Sequence, residues 1–222
     1  MSGGAMPRGP IDVIVEYSLR RWPQLVERAE EMSRLDAFKL LVLTVLSQVT
    51  TSGNTWAAFT RLEERVGVEP HRLAAARVED VEEAIRPAGL WRGRARALIQ
   101  LAREVVTRFG GDLEPLSRLP TEELRRELMS LPRVGPKTAD VLLLFHYGRR
   151  VMPVDTHISR LARRLGVASG GYEDVRKAIE ASAHGDLRLV HLALIAFGRA
   201  VCRARGPRCW ECPVASECPS RA

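Results

Sequence analysis

Lys137 stands in the stretch LPRVGPKTADVLLLF and is one of only three lysines in the chain, with Lys39 and Lys177. Every other side chain of fixed positive charge is an arginine. An arginine would hold a phosphate at least as well, but it keeps its proton in proteins. A lysine can lose its proton near neutral pH and act as a nucleophilic amine. Lys137 is therefore a candidate nucleophile, and the alternative interpretation is a solvated surface charge.

Four cysteines lie together at the C-terminal end of the sequence. Cys202, Cys209, Cys212 and Cys218 follow the spacing C-x6-C-x2-C-x5-C, and the first 201 residues contain no cysteine. Such clustering indicates a metal site, and we find no secretory signal that would favour disulfides. On spacing alone, a structural zinc ion and an iron–sulfur cluster are equally good interpretations.

Arginines stand between these cysteines. Arg205 and Arg208 could offset the negative charge of a thiolate cluster, or they could point outward and grip a phosphate. We expect both residues to contact DNA. A net charge of +7 and a pI near 9.8 agree with a polyanionic partner.

The residues before Lys137 read as a turn between two helices. The first helix ends at Leu131–Pro132, and Pro136 opens the next one at a position where its missing N–H costs nothing. Such a turn leaves backbone N–H groups pointing outward, which is an anion site suited to a DNA phosphate. We therefore predict that Arg133, Val134 and Gly135 contact DNA, with Gly135 letting the backbone come close. An ordinary helix–helix joint is the alternative.

The elements that must position these residues are helical. Apolar residues recur at helical spacing along most of the chain, and no segment alternates over strand length. Residues 36–48 are apolar on nearly every face, which predicts a buried helix. No apolar run reaches membrane-spanning length. The sequence therefore predicts an all-α protein. We find no targeting signal and expect the protein in the cytoplasm.

Three motifs occur in a fixed order: LPxVGxKTA around Lys137, VDTHI at residues 154–158, and the cysteine pattern. Together they closely resemble endonuclease III, of the helix-hairpin-helix DNA glycosylase superfamily, from about residue 30 to Cys218. The resemblance implies a bifunctional DNA glycosylase and abasic-site lyase with a [4Fe–4S] cluster on the four cysteines. It implies that Lys137 is the nucleophile and Asp155 the catalytic carboxylate.

The resemblance extends to further residues. Gln48 matches a glutamine that fills the gap left by the extruded base, and Leu90 matches an apolar wedge in the base stack. His157 lies near the position where the family contacts the target nucleotide. Arg133 departs from the family, which normally has glycine there, and Asp140 replaces the usual asparagine.

The resemblance also implies two helical lobes with the catalytic cleft between them. Residues 30–149 would form a six-helix bundle with the helix-hairpin-helix motif, and residues 1–29 and 150–222 a helical iron–sulfur cluster domain. We expect a nucleoid-associated monomer that acts on double-stranded DNA with a damaged base or abasic site and binds no membrane. It would remove oxidised pyrimidines in base excision repair through a lysine Schiff base and β-elimination.

Other functions stay open at this stage. Within the superfamily they are removal of mismatched thymine or uracil, or of an oxidised purine. From other classes they are a non-catalytic, metal-stabilised DNA-binding protein and a ferredoxin-like electron carrier.

Overall fold

The structure is a computed structural model and describes residues 9–221. Within that range, regular structure consists of α-helices and short 3-10 turns, without a β-strand. The predicted all-α fold is confirmed. In chain order the α-helices are α1 (Pro10–Arg21), α2 (Gln24–Arg34), α3 (Ala37–Leu46), α4 (Ser52–Arg65), α5 (Pro70–Ala75), α6 (Val78–Ile85), α7 (Trp91–Phe109), α8 (Thr121–Met129), α9 (Pro136–Phe145), α10 (Thr156–Arg164), α11 (Tyr172–Ser182) and α12 (Leu187–Ala200). None of these helices is long and apolar enough to cross a membrane.

The chain folds into two compact units. One spans Met32–Arg149 and is called the hairpin unit below. The other combines the described residues before Met32 with those from Arg150 onward, and is called the cysteine unit.

The core of the hairpin unit is built around α3. Every residue of this helix except Lys39 is buried, as the apolar sequence predicts, and α3 packs against α4, α7 and α9. The hairpin unit contains seven complete α-helices, and the six-helix bundle expected there stays a prediction. The additional helix, α5, has six residues and buries only Leu73, so it is too short to show a helical period in the sequence.

A buried ion pair joins the two helices on either side of the turn. Arg125 of α8 donates to Asp140 of α9 through Nε to Oδ1 at 2.6 Å and Nη2 to Oδ2 at 3.2 Å. Asp140 is fully buried. The two-pronged geometry fixes the angle at which α9 begins after the turn. Asp140, which stands where the family usually has asparagine, therefore braces the hairpin.

The cysteine unit is organised around α12, which packs against α1 and α10. Gly198 of α12 makes the α10 contact possible, because a Cβ there would lie 2.8 Å from the Cβ of His157. α10 also packs against α11. The cysteine-containing segment begins directly after α12 ends, at Cys202.

Candidate active site

Lys137 lies in the first turn of α9 and is half-buried. Pro136 occupies the first helical position, as predicted, and Gly135 is the N-cap without a side-chain hydrogen bond. The amine is thus attached at the positive end of a helix dipole whose N-terminus has no side-chain cap. This environment disfavours an additional positive charge.

The hairpin presents backbone donors, as the sequence predicts. The N–H groups of Arg133, Gly135 and Thr138 donate no hydrogen bond within residues 9–221. The N–H of Val134 instead donates to the carbonyl of Leu131 at 3.2 Å, and its side chain is buried. Val134 therefore holds the turn together, and its neighbours provide the donors for an anion.

The turn contains an extended glycine and a left-handed arginine. Gly135 is extended, with φ −92° and ψ 179°, and a Cβ there would meet nothing within 4 Å. The left-handed residue is Arg133, with φ 65°. The lack of a side chain at Gly135 therefore matters only to a group approaching from outside the chain.

A pocket of about 610 Å³ lies in the same unit, between three loops. Its lining includes Gln48 and Val49 from the α3–α4 loop, Leu90 before α7, and Arg133 from the hairpin; we call it the three-loop pocket. The structure thus brings together three predicted DNA-contact residues, Gln48, Leu90 and Arg133. Lys137 is not part of the lining.

Backbone strain converges on this pocket. In the described part of the chain, the residues other than glycine with positive φ are Val49, Leu90 and Arg133, and all three line it. Leu90 is 66% exposed and Val49 is 89% exposed. A β-branched residue in the left-handed region is costly and persists only where its surroundings impose it. Exposed apolar side chains on strained turns are typical of functional contacts, and the wedge role of Leu90 stays a prediction.

Val49 and Arg94 are two residues of this site that the sequence reasoning missed. Arg94 is only 7% exposed and donates through Nη1 to the carbonyls of Ala88 and Gly89, both at 2.9 Å, and through Nη2 to that of Gln48. It thereby ties two of the three loops together. Burial lowers the pKa of Arg94, and the nearby Arg133 guanidinium adds to the effect. An arginine in an amphipathic helix gives no sequence signal for such a role.

Asp155 belongs to the cysteine unit and is the N-cap of α10. Its Oδ1 accepts hydrogen bonds from the N–H groups of His157 at 2.9 Å and Ile158 at 2.8 Å. Its Oδ2 accepts none within residues 9–221. The carboxylate is therefore held in place by one oxygen while the other remains available, so the cap and a catalytic role are compatible.

His157 is half-buried, and its Nδ1 lies 3.1 Å from Nη2 of Arg160. Burial lowers the pKa of His157, although the Asp155 charge opposes the shift. The imidazole is therefore neutral at physiological pH. Nη2 of Arg160 also donates to the carbonyls of Gly198 at 2.7 Å and Cys202 at 2.9 Å, which links α10 to the cysteine segment.

The four cysteines line a single cavity, together with residues of α10 and α12. Burial raises the pKa of the Cys212 thiol, and the other three thiols nearby raise it further. Arg164 of α10 donates to the Cys202 sulfur at 3.4 Å and to the Arg203 carbonyl at 2.7 Å. Within residues 9–221, no three His, Cys, Asp or Glu side chains are placed to hold a metal ion. Four thiols that border one cavity offer the sulfur ligands that both structural zinc ions and iron–sulfur clusters use.

The two predicted phosphate contacts in the cysteine segment differ. Arg205 is exposed and has no hydrogen bond or ion pair within residues 9–221. Arg208 lines the cysteine cavity and donates to Glu211 at 3.2 Å. Arg205 is therefore free to meet a phosphate, whereas Arg208 is already committed within the loop. Trp210, between Cys209 and Cys212, is 79% exposed.

Comparisons with known proteins agree with this arrangement. Residues 42–184 match the family described as HhH-GPD superfamily base excision DNA repair protein. The chain is 34% identical to endonuclease III of Thermotoga maritima over 185 residues, 82% of this chain and 83% of that protein. It is 35% identical to endonuclease III of Sulfolobus acidocaldarius over 187 residues, 82% of each protein.

Solved structures give the same result. A trapped endonuclease III–DNA covalent intermediate with an estranged adenine superposes with a TM-score of 0.75 at 29% identity, covering 93% of this chain and 92% of that one. A thermostable thymine-DNA glycosylase shares the fold with a TM-score of 0.75 at 22% identity, covering 96% of both chains. The chain therefore belongs to the HhH-GPD superfamily of base excision DNA repair proteins, among the relatives of endonuclease III.

Proposed function

We propose that this base excision repair enzyme is a bifunctional DNA glycosylase and abasic-site lyase that removes oxidised pyrimidines from double-stranded DNA. The observation that carries the proposal is Lys137 in the uncapped first turn of α9, directly behind a hairpin with outward backbone donors. Duplex DNA is the substrate, so the enzyme works on the nucleoid.

The hairpin and the lysine have separate tasks in this mechanism. The N–H groups of Arg133, Gly135 and Thr138 bind a phosphate of the damaged strand. The neutral amine of Lys137 forms a bond to C1′ of the extruded nucleotide while the glycosidic bond breaks and its electron pair leaves with the base. The nitrogen then loses a proton and forms a double bond to C1′, while the C1′–O4′ bond breaks and O4′ takes up a proton, which gives a Schiff base. Removal of a proton from C2′ then expels the 3′ phosphate and nicks the strand.

Asp155 supports base departure. Positive charge develops at C1′ as the base leaves, and a fixed carboxylate oxygen stabilises that charge. Oδ1 is held by the two N–H groups of α10, so Oδ2 is the oxygen that faces the sugar in this proposal. The same carboxylate can also accept a proton from the attacking amine. The neutral His157 beside it contacts the target nucleotide as a hydrogen-bonding group without adding charge.

The cysteine cavity is the site for a [4Fe–4S] cluster held by Cys202, Cys209, Cys212 and Cys218. Bound there, the cluster would supply a rigid, thiolate-linked centre for the segment that carries Arg205. Arg164 would hold the ligand sulfur of Cys202 and so fasten α10 to that segment.

Borohydride trapping on duplex DNA with an abasic site tests the mechanism. The parent should form a covalent complex and nick the strand, and Lys137→Gln should do neither. Lys137→Arg keeps the positive charge but cannot supply a neutral amine, so it should be as inactive as the glutamine variant. Both variants should bind DNA within about tenfold of the parent, because the hairpin donors are unchanged. Nicking and trapping by the arginine variant would make Lys137 a phosphate contact and refute the lyase mechanism.

A further inference from the structure

The three-loop pocket is built for recognition rather than for chemistry. Its described lining contains Gln48 and the arginines Arg92, Arg94 and Arg133, together with apolar residues and Gly93. It contains no carboxylate, lysine, histidine or cysteine, so none of these groups is present as nucleophile or acid–base catalyst. Three guanidinium groups without a carboxylate among them favour a ligand that offers hydrogen-bond acceptors.

Arg133 is the residue of this pocket that combines a strained backbone with a guanidinium that has no hydrogen-bond partner within residues 9–221. Its φ of 65° costs free energy that a glycine would not, and such strain is concentrated at functional sites. Its guanidinium makes no hydrogen bond or ion pair within residues 9–221, and it lies close enough to Arg94 to depress the pKa of that group. Arg94 by contrast is buried and occupied by three backbone carbonyls.

The neighbours of Arg133 indicate which ligand reaches the pocket. Val49 and Leu90 project exposed apolar side chains from the two other loops, and such side chains fill the gap in a base stack when a nucleotide is extruded. The base left behind on the opposite strand then borders the same gap, unpaired. A pocket edged by these wedges, and not lined by Lys137, is the place for that unpaired base.

We propose that Arg133 reads a guanine opposite the extruded pyrimidine. Guanine offers two adjacent acceptors, O6 and N7, which match the paired N–H donors of a guanidinium. Adenine presents an amino group beside N7, and this donor opposes the arginine. The inference rests on the proposed function and sharpens it: pyrimidines opposite guanine are those derived from cytosine, so cytosine lesions are the preferred substrates.

Binding to an uncleavable abasic analogue tests the recognition of the opposite base by Arg133 separately from base excision and strand nicking. The probes are four duplexes with a tetrahydrofuran abasic analogue, identical except for the base opposite it. The parent should bind the guanine duplex about tenfold more tightly than the adenine duplex. Arg133→Gly should abolish this ratio while folding at least as well, since glycine suits φ 65°. Arg133→Gln should reverse the ratio, because glutamine pairs with adenine N6 and N7.

Arg118→Ala is the matched control, because Arg118 is an exposed arginine of the same unit that does not line the pocket. It should keep the guanine preference. Excision of dihydrouracil opposite guanine and opposite adenine should follow the same ratios. An equal loss of affinity on all four duplexes in Arg133→Gly would make Arg133 a phosphate contact and overturn the inference. That result would leave the proposed function standing if the enzyme is still trapped on abasic DNA through Lys137. Absence of trapping would refute the proposed function, whatever the duplexes show for Arg133.

Discussion

Two helix N-termini carry the proposed chemistry, and they are built in opposite ways. α9 begins at Gly135 without a side-chain cap and leaves backbone donors unpaired. α10 begins at Asp155, whose Oδ1 accepts two of the first N–H groups. An uncapped terminus is a receptor for an external anion, whereas a capped one immobilises an anion of the protein itself. In the proposed mechanism, the same structural element thus serves phosphate binding in one unit and carboxylate placement in the other.

The side chains around the two helix N-termini also differ. Near α9, the hairpin unit exposes apolar and cationic side chains on strained turns, as at Val49, Leu90 and Arg133. Near α10, Arg160 and Arg164 of the cysteine unit donate to carbonyls of neighbouring segments. Unpaired donors and exposed side chains can acquire partners when DNA binds, whereas the two N–H groups that donate to Asp155 hold its carboxylate in one position.

Removing the charge of Asp155 while keeping its cap gives the largest expected effect. Asparagine caps helices as well as aspartate, so Asp155→Asn should keep the free energy of unfolding nearly unchanged. Base release should slow by about 10²- to 10³-fold, because the developing charge at C1′ loses its counter-charge. Single-turnover excision measures the first effect and thermal unfolding the second.

The control for that prediction is Asp155→Ala, which removes both the cap and the charge. It should slow base release similarly and lower stability by about 1 kcal/mol as well. Both variants should still form some Schiff base on a pre-made abasic site, where no base has to leave. An Asn variant that excises at the parental rate would reduce Asp155 to a cap.

Closing the open terminus of α9 is the reciprocal change and should have the next largest effect. Gly135→Asp provides a side-chain cap and a negative charge, so it should stabilise the helix start by about 0.5–1 kcal/mol. Affinity for duplex DNA should fall by about tenfold or more, because the carboxylate takes the donors and repels the phosphate. Thermal unfolding and fluorescence anisotropy on one DNA duplex measure the two changes.

Gly135→Ala is the matched control for steric effects. No atom of residues 9–221 outside the adjoining backbone lies within 4 Å of the added Cβ, and the backbone is extended, so folding should be unaffected. Any loss of affinity in this variant reports how close the DNA backbone comes. Unchanged binding by Gly135→Asp would show that no phosphate sits at this terminus.

Alanine variants of Arg205 and Arg208 should differ in the salt dependence of their DNA binding. Arg205→Ala should lower the slope of log K against log salt by about 0.9, the value for one phosphate contact. Arg208→Ala should change the slope less, because its guanidinium is already paired with Glu211. Absorbance near 400 nm (roughly, for thiolate-bound iron) checks that the cluster remains in both variants. Equal slopes for parent and Arg205→Ala would remove Arg205 from the interface.

The sequence could predict groups whose role is local. Pro136 opening a helix, Asp155 capping one and the apolar surface of α3 all follow from spacing and residue type. It could not predict residues whose role depends on tertiary contacts. Arg94 donates to the carbonyl of Gln48, 46 residues away in sequence, and Asp140 becomes a hairpin brace only because Arg125 faces it across the turn. The left-handed backbone at Arg133 escaped prediction because an arginine gives no local signal for a positive φ.

Val49 gives the smallest expected effect. Val49→Gly removes an unfavourable left-handed valine, so the free energy of unfolding should rise slightly, or stay within about 0.5 kcal/mol once the entropy of glycine is included. The lost side chain is 89% exposed and contributes almost nothing to the core. If Val49 fills part of the gap in the base stack, base extrusion should weaken by about two- to fivefold, less than for Leu90→Gly. The fluorescence of 2-aminopurine opposite or beside an abasic analogue reports extrusion directly.

Val49→Asn separates the effect of backbone strain from that of the apolar side chain, since asparagine tolerates the left-handed backbone but has no apolar surface. Extrusion equal to the parent in both variants, with stability raised in both, would leave the strain at Val49 without a function in DNA binding.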